Sequence, residues 1–337
     1  MNKIQEGHKT IMRERNYRMD NIRCFLIFCV AFGHLLELFK GDLGLYHAIY
    51  AFHMPAFIFI TGYFAKFNSR KIAANFIYPY LLFQTLYIIF DAVVLNNGAQ
   101  IELQYTTPYW LLWYLLTIIF YYLLIPMIES DNKNLRIIIF IGSAIISLLA
   151  GFDDSIGRYM SLSRFFTFLP FFVTGYYCGH RICKVDGRKK ISAVIKICSL
   201  LIFITGIIFV IKSGLITSNM LYGASSYSKS EYNIYIKLLL MIIAAAGILC
   251  LLEFIPNRRL ALISECGKYT YPVFLLHGFI VRLLKYYGVF KYSLPLNLFM
   301  AFVAAVCILT VFGNRWSMKI FNKVCTGNWL FRRSMNK

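Results

Sequence analysis

An apolar run long enough to cross a bilayer, Asp20 to Phe39 (DNIRCFLIFCVAFGHLLELF), carries Arg23, His34 and Glu37 within it. A charged side chain at bilayer depth costs about 3 kcal/mol or more, so such groups face a bundle interior or an aqueous cavity and not lipid. At 100° per residue, the step from Arg23 to His34 makes about three helical turns and leaves both side chains within about 20° of one azimuth. Glu37, one turn further, joins the same stripe. Arg23 is thus expected at one membrane surface and His34 about 16 Å along the axis near mid-depth, with Glu37 about one turn beyond. The helix is expected to form one wall of a polar conduit.

The rest of the chain repeats the apolar run. Candidate spans fall at 22–40, 47–66, 72–95, 109–128, 135–151, 164–181, 191–212, 234–253, 269–287 and 296–314. With 59% hydrophobic and only 15% charged residues, this pattern excludes a soluble core. The expected fold is an all-α integral membrane protein of about ten transmembrane helices in one bundle. The clusters Arg13/Arg15/Arg18, Arg188/Lys189/Lys190 and Arg258/Arg259 fall on alternate loops, while 96–108 has no Lys or Arg. That asymmetry places both termini in the cytoplasm. Residues 1–21 are then a basic cytoplasmic segment, 22–314 the transmembrane domain and 315–337 a basic, aromatic cytoplasmic tail suited to the headgroup region. Residues 1–19 have no apolar signal-peptide core, so the first span is expected to direct insertion.

The formal net charge of +20 punctuates the apolar runs instead of forming one stripe, which argues against nucleic acid and for anionic lipid headgroups and an anionic cofactor as partners. The nine cysteines show no metal-ligand spacing, and no metal or disulfide is expected.

Within the spans, a lone histidine such as His277 commonly serves helix–helix hydrogen bonding. His34 differs, because a carboxylate on its own face orients an imidazole, fixes its tautomer and raises its basicity, as a general base requires. The spacing alone leaves acyl transfer and proton-coupled transport both open. Arg23 is a candidate for phosphate or pyrophosphate groups, with Arg70 and Lys71 on the same side. No Gly-rich phosphate loop is present to do that work. Segment 213–233, rich in Ser, Tyr and Asn, reads either as a solvated connector or as a cover that touches a substrate. Gly62, Gly175 and Gly179 suit close helix packing.

Arg23 and His34 with ten residues between them are followed by FHMPAFIFITGYF (52–64), YWLLWYL (109–115), SRFFTFLPFFVTGYYCGH (163–180) and GKYTYPVFLLHGF (267–279). Together these resemble membrane acyltransferase family 3, and within it the fucose 4-O-acetylase-like branch. The resemblance spans nearly all the predicted helices in order. It implies an enzyme of the bacterial inner membrane that moves an acyl group, usually acetyl from cytoplasmic acetyl-CoA, to a hydroxyl of an envelope glycan or its lipid-linked precursor. The family's first-span Arg and His fall on Arg23 and His34. Its second-span pattern falls on His53, Pro55 and Phe57, the Arg opening a Leu-Pro-Phe-Phe span falls on Arg164, and the late Leu-His falls on Leu276 and His277. Many members carry two arginines three residues apart in the second inside loop, where this chain has the adjacent pair Arg70 and Lys71.

On that resemblance His34, held by Glu37, takes the proton of the acceptor hydroxyl, directly or through a transient acetyl-His34. Arg23, Arg70 and Lys71 meet the donor's phosphates. His53, Arg164 and His277 meet the carbohydrate acceptor or its phosphate, and Trp110 and Trp113 offer faces for sugar stacking or anchor the membrane interface. Two other classes fit the same residues: a transporter or flippase of glycan intermediates using His34 and Glu37 as a proton relay, and a membrane scaffold whose polar stripe serves packing alone.

Overall fold

The computed structural model describes residues 15–39, 43–95, 102–182 and 193–331. These residues form helices without strands: α1 (Tyr17–Leu36), α2 (Leu43–Tyr50), α3 (His53–Phe64), α4 (Ser69–Ile72), α5 (Tyr78–Val93), α6 (Trp113–Ile128), α7 (Lys133–Leu149), α8 (Leu162–Ile182), α9 (Ala193–Lys212), α10 (Ser218–Tyr222), α11 (Ile234–Phe254), α12 (Ala261–Lys268), α13 (Thr270–Tyr286), α14 (Leu294–Phe312), α15 (Arg315–Val324) and α16 (Asn328–Phe331). A π-helical turn, Ala73–Ile77, joins α4 to α5, and a 3-10 turn, Trp110–Leu112, leads into α6.

Seven helical stretches among the described residues are long and apolar enough to cross a bilayer: α1, Ser69–Val93, Trp110–Ile128, Lys133–Phe152, α9, α11 and α14. Ten were expected, and the other three segments are helical but fall short for separate reasons. Segment 47–66 breaks at Ala51 and Phe52 into α2 and α3, of 8 and 12 residues. Segment 269–287 gives α13, of 17 residues. α8 has 21 residues but dilutes its apolar content with Ser163, Arg164, Thr167 and Thr174. The break before α3 and the polar start of α8 both fall where the candidate site lies.

α1 is the centre of the bundle. Of its most apolar 18-residue window 78% is buried, against 17% for the windows of α7 and α9, which turn Ile138, Ile141, Ile145, Ile197 and Leu201 outward as a lipid-facing surface would. Asn16 caps α1 by accepting from the Met19 amide (3.4 Å), and α3, α12, α13 and α14 pack around it. Its first turns are tied to the α11–α12 connection: Asn21 Nδ2 donates to the carbonyls of Pro256 (3.0 Å) and Arg258 (3.1 Å), and Ser264 Oγ donates to Asn21 Oδ1 (2.6 Å).

Lipid gives helices no hydrophobic gain for touching one another, so close approach rests on small residues. Two such contacts join α3 to α8. A Cβ on Gly62 would stand 2.3 Å from the Phe172 carbonyl oxygen, and one on Gly175 would stand 2.1 Å from that of Phe59. The two backbones therefore touch, fixing His53 on α3 relative to Arg164 on α8. The surroundings of Gly179 lie outside the described side chains.

Segment 213–233 packs onto the bundle and is no solvated connector. Met220, Leu221, Tyr227 and Tyr232 are buried, and Tyr227 anchors it through its amide to the Gly151 carbonyl (2.7 Å) and its hydroxyl to that of Leu148 (2.7 Å). In the tail, α15 docks through buried Phe321 against Tyr271 and Phe83, and leaves Trp316 and Ile320 exposed, with Lys319 over the Trp316 ring. One buried aromatic and an outer face of apolar and basic residues suit a helix lying along a membrane surface.

Candidate active site

His34 sits in the last turn of α1, and Glu37 is the C-cap of that helix, so one helical turn brings His34 Nδ1 to 3.2 Å from Glu37 Oε1. α2 supplies the rest of the carboxylate's shell. Tyr46 and Tyr50, four residues apart on one face, both donate to Glu37 Oε1 at 3.1 and 2.6 Å. The Tyr50 oxygen is also 3.1 Å from His34 Nδ1, and Tyr46 is within 2.6 Å of the Tyr222 hydroxyl on α10. With the Nδ1 proton directed at the carboxylate, Nε2 is the free, basic nitrogen. The imidazole is walled by the Trp110 ring at 4.6 Å and by His277 at 5.5 Å, the latter nearly parallel at 25°.

His34, Glu37, Tyr50 and Trp110 line a cavity of about 280 Å³ together with His53, Trp113, Arg158, Arg164 and Tyr222. His53, at the first position of α3, donates from Nδ1 to the Ile49 carbonyl (2.8 Å), which leaves its Nε2 as an acceptor. Arg164 lays its guanidinium over Trp113 at 4.7 Å and donates from Nε to the Tyr222 carbonyl (3.1 Å). Trp113, which also stacks on Phe168 at 5.7 Å, is thereby occupied as the platform of an arginine. His277 is fully buried behind His34 and is not part of the cavity wall. Its Nδ1 donates to the Val273 and Phe274 carbonyls, and its Nε2 has no partner among the described residues.

The wall formed by Thr107, Pro108 and Trp110 is held from below by one buried side chain. Gln84 donates to the carbonyls of Gln104 (2.7 Å) and Thr107 (3.1 Å) and accepts from the Tyr109 amide (2.8 Å). Trp110 follows with φ at 23°, in a region that side-chain-bearing residues rarely adopt, beside His34.

Arg23 lines a second cavity, of about 260 Å³, at the end of the bundle where α1 begins. Its guanidinium covers the Phe64 ring at 3.9 Å, with Asp20 at 4.0 Å. Lys268 lines the same cavity, whose walls are otherwise mostly apolar or aromatic, Val30, Phe57, Ile60, Phe76, Tyr114 and Phe274 among them, with Thr61 and Thr270 as the neutral polar members. Met54 borders both this cavity and the His34 cavity. The expected conduit along α1 is therefore two chambers with one methionine between them. Arg70 and Lys71 lie exposed on α4 and line neither chamber.

A third cavity of about 430 Å³ adjoins the His34 cavity, sharing Glu37 and Trp110. In it Arg282 of α13 grips Asp91 of α5 with two bonds, Nε–Oδ1 at 3.1 Å and Nη2–Oδ2 at 2.6 Å, and Tyr109 donates to the same carboxylate.

Sequence reasoning missed Tyr46, Tyr50, Tyr222, Arg158 and Lys268. The signal available was the i,i+4 tyrosine pair in LYHAIY. The others come from separate elements and carry no local pattern.

A carboxylate-held imidazole at the bottom of one chamber, and a cationic, aromatic chamber below it, are the parts a transfer reaction between two large substrates would need. Comparison with curated proteins and with solved structures returned no match. A family model described as an acyltransferase domain matches residues 16–314, a stretch that contains every residue lining the cavities described above. The chain belongs to membrane acyltransferase family 3.

Proposed function

We propose that this membrane acyltransferase is an O-acetyltransferase of the cytoplasmic membrane, akin to the fucose 4-O-acetylase-like branch, which moves acetyl from cytoplasmic acetyl-CoA to a hydroxyl of an envelope glycan or its lipid-linked precursor. The observation that carries the reading is the His34–Glu37–Tyr50 cluster facing a cavity that shares Met54 with the chamber of Arg23 and Lys268.

Acetyl-CoA supplies the activated thioester. Arg23 and Lys268 are the cations suited to its phosphates, and the aromatic lining between Arg23 and Met54 suits a narrow, largely apolar arm. From the other side, His53 Nε2 can accept a hydrogen bond from a sugar hydroxyl. His34 Nε2 takes the proton of the attacking hydroxyl as its oxygen bonds to the acyl carbon. The resulting imidazolium is stabilised by Glu37, whose charge is itself steadied by Tyr46 and Tyr50. His34 then returns the proton to the departing sulfur. Each residue in the cycle ends in the state in which it began.

The test compares envelope glycans for alkali-labile O-acetyl groups in a strain lacking the protein, one complemented with the native chain and one complemented with His34→Ala at equal abundance. Acetyl groups restored only by the native chain are the expected result. Equal acetylation in all three, with glycan precursors stranded on the cytoplasmic side when the protein is missing, would overturn the proposal in favour of transport.

A further inference from the structure

The charge around His34 does not balance. Glu37 is the one carboxylate in the cavity wall, and it is engaged by His34, Tyr46 and Tyr50. Two guanidinium groups, of Arg158 and Arg164, line the same cavity, and no carboxylate among the described residues lies within ion-pair distance of either. Arg164 commits only Nε, to the Tyr222 carbonyl, so its two terminal nitrogens have no acceptor among the described residues. Both guanidinium groups face the same cavity, so their positive charges add there. In the adjoining cavity Asp91 is consumed by Arg282 and Tyr109, and exposed Lys285 adds a further cation, so its described lining offers no free carboxylate.

The backbone holds this arrangement against its own preference. Between the two arginines, Met160 and Ser161 both adopt positive φ, 50° and 57°, and the Met160 amide is fastened to the Thr106 carbonyl at 2.7 Å. Two consecutive side-chain-bearing residues in that region cost on the order of 1–3 kcal/mol each and persist only where the surroundings enforce them. Arg164, partly withdrawn from water without a counter-ion among the described residues, is costly in the same sense, while Arg158 stands exposed at the cavity mouth. An anion between the guanidinium groups would offset their charge and fill the open donors in the fork geometry that carboxylates and phosphates match.

We propose that the acceptor is an anionic glycan, and that a carboxylate or phosphate on it is held between Arg158 and Arg164 while one of its hydroxyls meets His34. This rests on the acyl-transfer reading above and names the substrate class that the reading left open. A sugar carboxylate, a sugar phosphate and a polyprenyl pyrophosphate linkage share the required chemistry.

The test uses the full chain in phosphatidylcholine nanodiscs with radiolabelled acetyl-CoA and four acceptors: methyl glucoside, methyl glucuronide, glucose 1-phosphate and polyprenyl-pyrophosphoryl glucose. A charge-assisted contact contributes about 1.5–3 kcal/mol, so at least one anionic acceptor should exceed the neutral one about tenfold or more in kcat/KM. Which one does so identifies the source of the charge. Arg158→Gln should collapse that ratio and Arg158→Lys should retain part of it. Comparable use of neutral and anionic acceptors, or a ratio indifferent to Arg158→Gln, would overturn the proposal. Binding of inorganic pyrophosphate, followed by tryptophan fluorescence, reads the site without turnover. Binding weakened by Arg158→Gln but not by Arg23→Gln supports the anion site, and binding that Arg158→Gln leaves intact overturns it. Absence of acetyl transfer to all four acceptors, with that binding present, would count against the acyl-transfer reading alone.

Discussion

At His34 the chemistry depends on one oxygen. Glu37 Oε1 is shared by an imidazole and two phenols, so its negative charge is spread over three hydrogen bonds and the imidazole is held in one tautomer. Glu37→Gln keeps the shape but replaces the charge with an amide, and removes the stabilisation of imidazolium. General-base catalysis contributes about 10²–10⁴-fold, and Glu37→Gln should cost the lower part of that range in kcat, with KM for the acceptor nearly unchanged. Tyr50→Phe, which removes one of the three bonds, should cost about tenfold, in line with about 1.5 kcal/mol for a hydrogen bond to a charged group. Steady-state acetyl transfer by purified variants checks both. His34 and Glu37 were legible in the sequence because a single helix carries them, and its period alone puts them on one face. Tyr46, Tyr50 and Tyr222 were not, since a tyrosine near a membrane interface is ordinary and its partner is named only by the fold.

The elements that bring these residues together are joined most tightly at the α3–α8 crossing. Gly62 and Gly175 let backbone meet backbone there, so neither can take a methyl group without separating the helices. Gly62→Ala or Gly175→Ala should destabilise the protein by about 1–3 kcal/mol, as overpacking does, and should lower the thermal unfolding midpoint measured in detergent. Activity should fall as well, because the crossing sets where His53 stands relative to Arg164. The sequence read most helices correctly where apolar runs are unbroken, as in α9, α11 and α14. Where a run is interrupted for the sake of the site, the expected span is helical but no single helix there is both long and apolar enough to cross a bilayer. The break at Ala51 and Phe52 turns the chain so that Tyr50 and His53 both face the His34 cavity, and hydropathy has no means of registering such a turn.

Across the whole molecule, Arg23 and His34 occupy separate chambers with Met54 bordering both. If acetyl-CoA and a glycan are the substrates, as proposed, Arg23→Gln should raise KM for acetyl-CoA by about tenfold, the worth of one charged contact, while leaving KM for the glycan near its native value. The sequence placed Arg23 and His34 on one stripe correctly. It assigned Arg70 and Lys71 to the donor by their expected membrane side and by the family's loop pattern, whereas in space they stand exposed on α4 and Lys268, distant in sequence, shares the Arg23 chamber. The partition at Met54 also bears on the energetics of the cell that houses the protein. A membrane under a potential of 100 mV holds about 2.3 kcal/mol for each elementary charge that crosses it, and a hydrated, cation-lined passage would discharge that store. An aromatic chamber bordered by a thioether is a poor conductor, and on the proposed reading a two-carbon acyl group needs only a neutral, momentary gap beside it. Insulation and group transfer thus become compatible in one bundle.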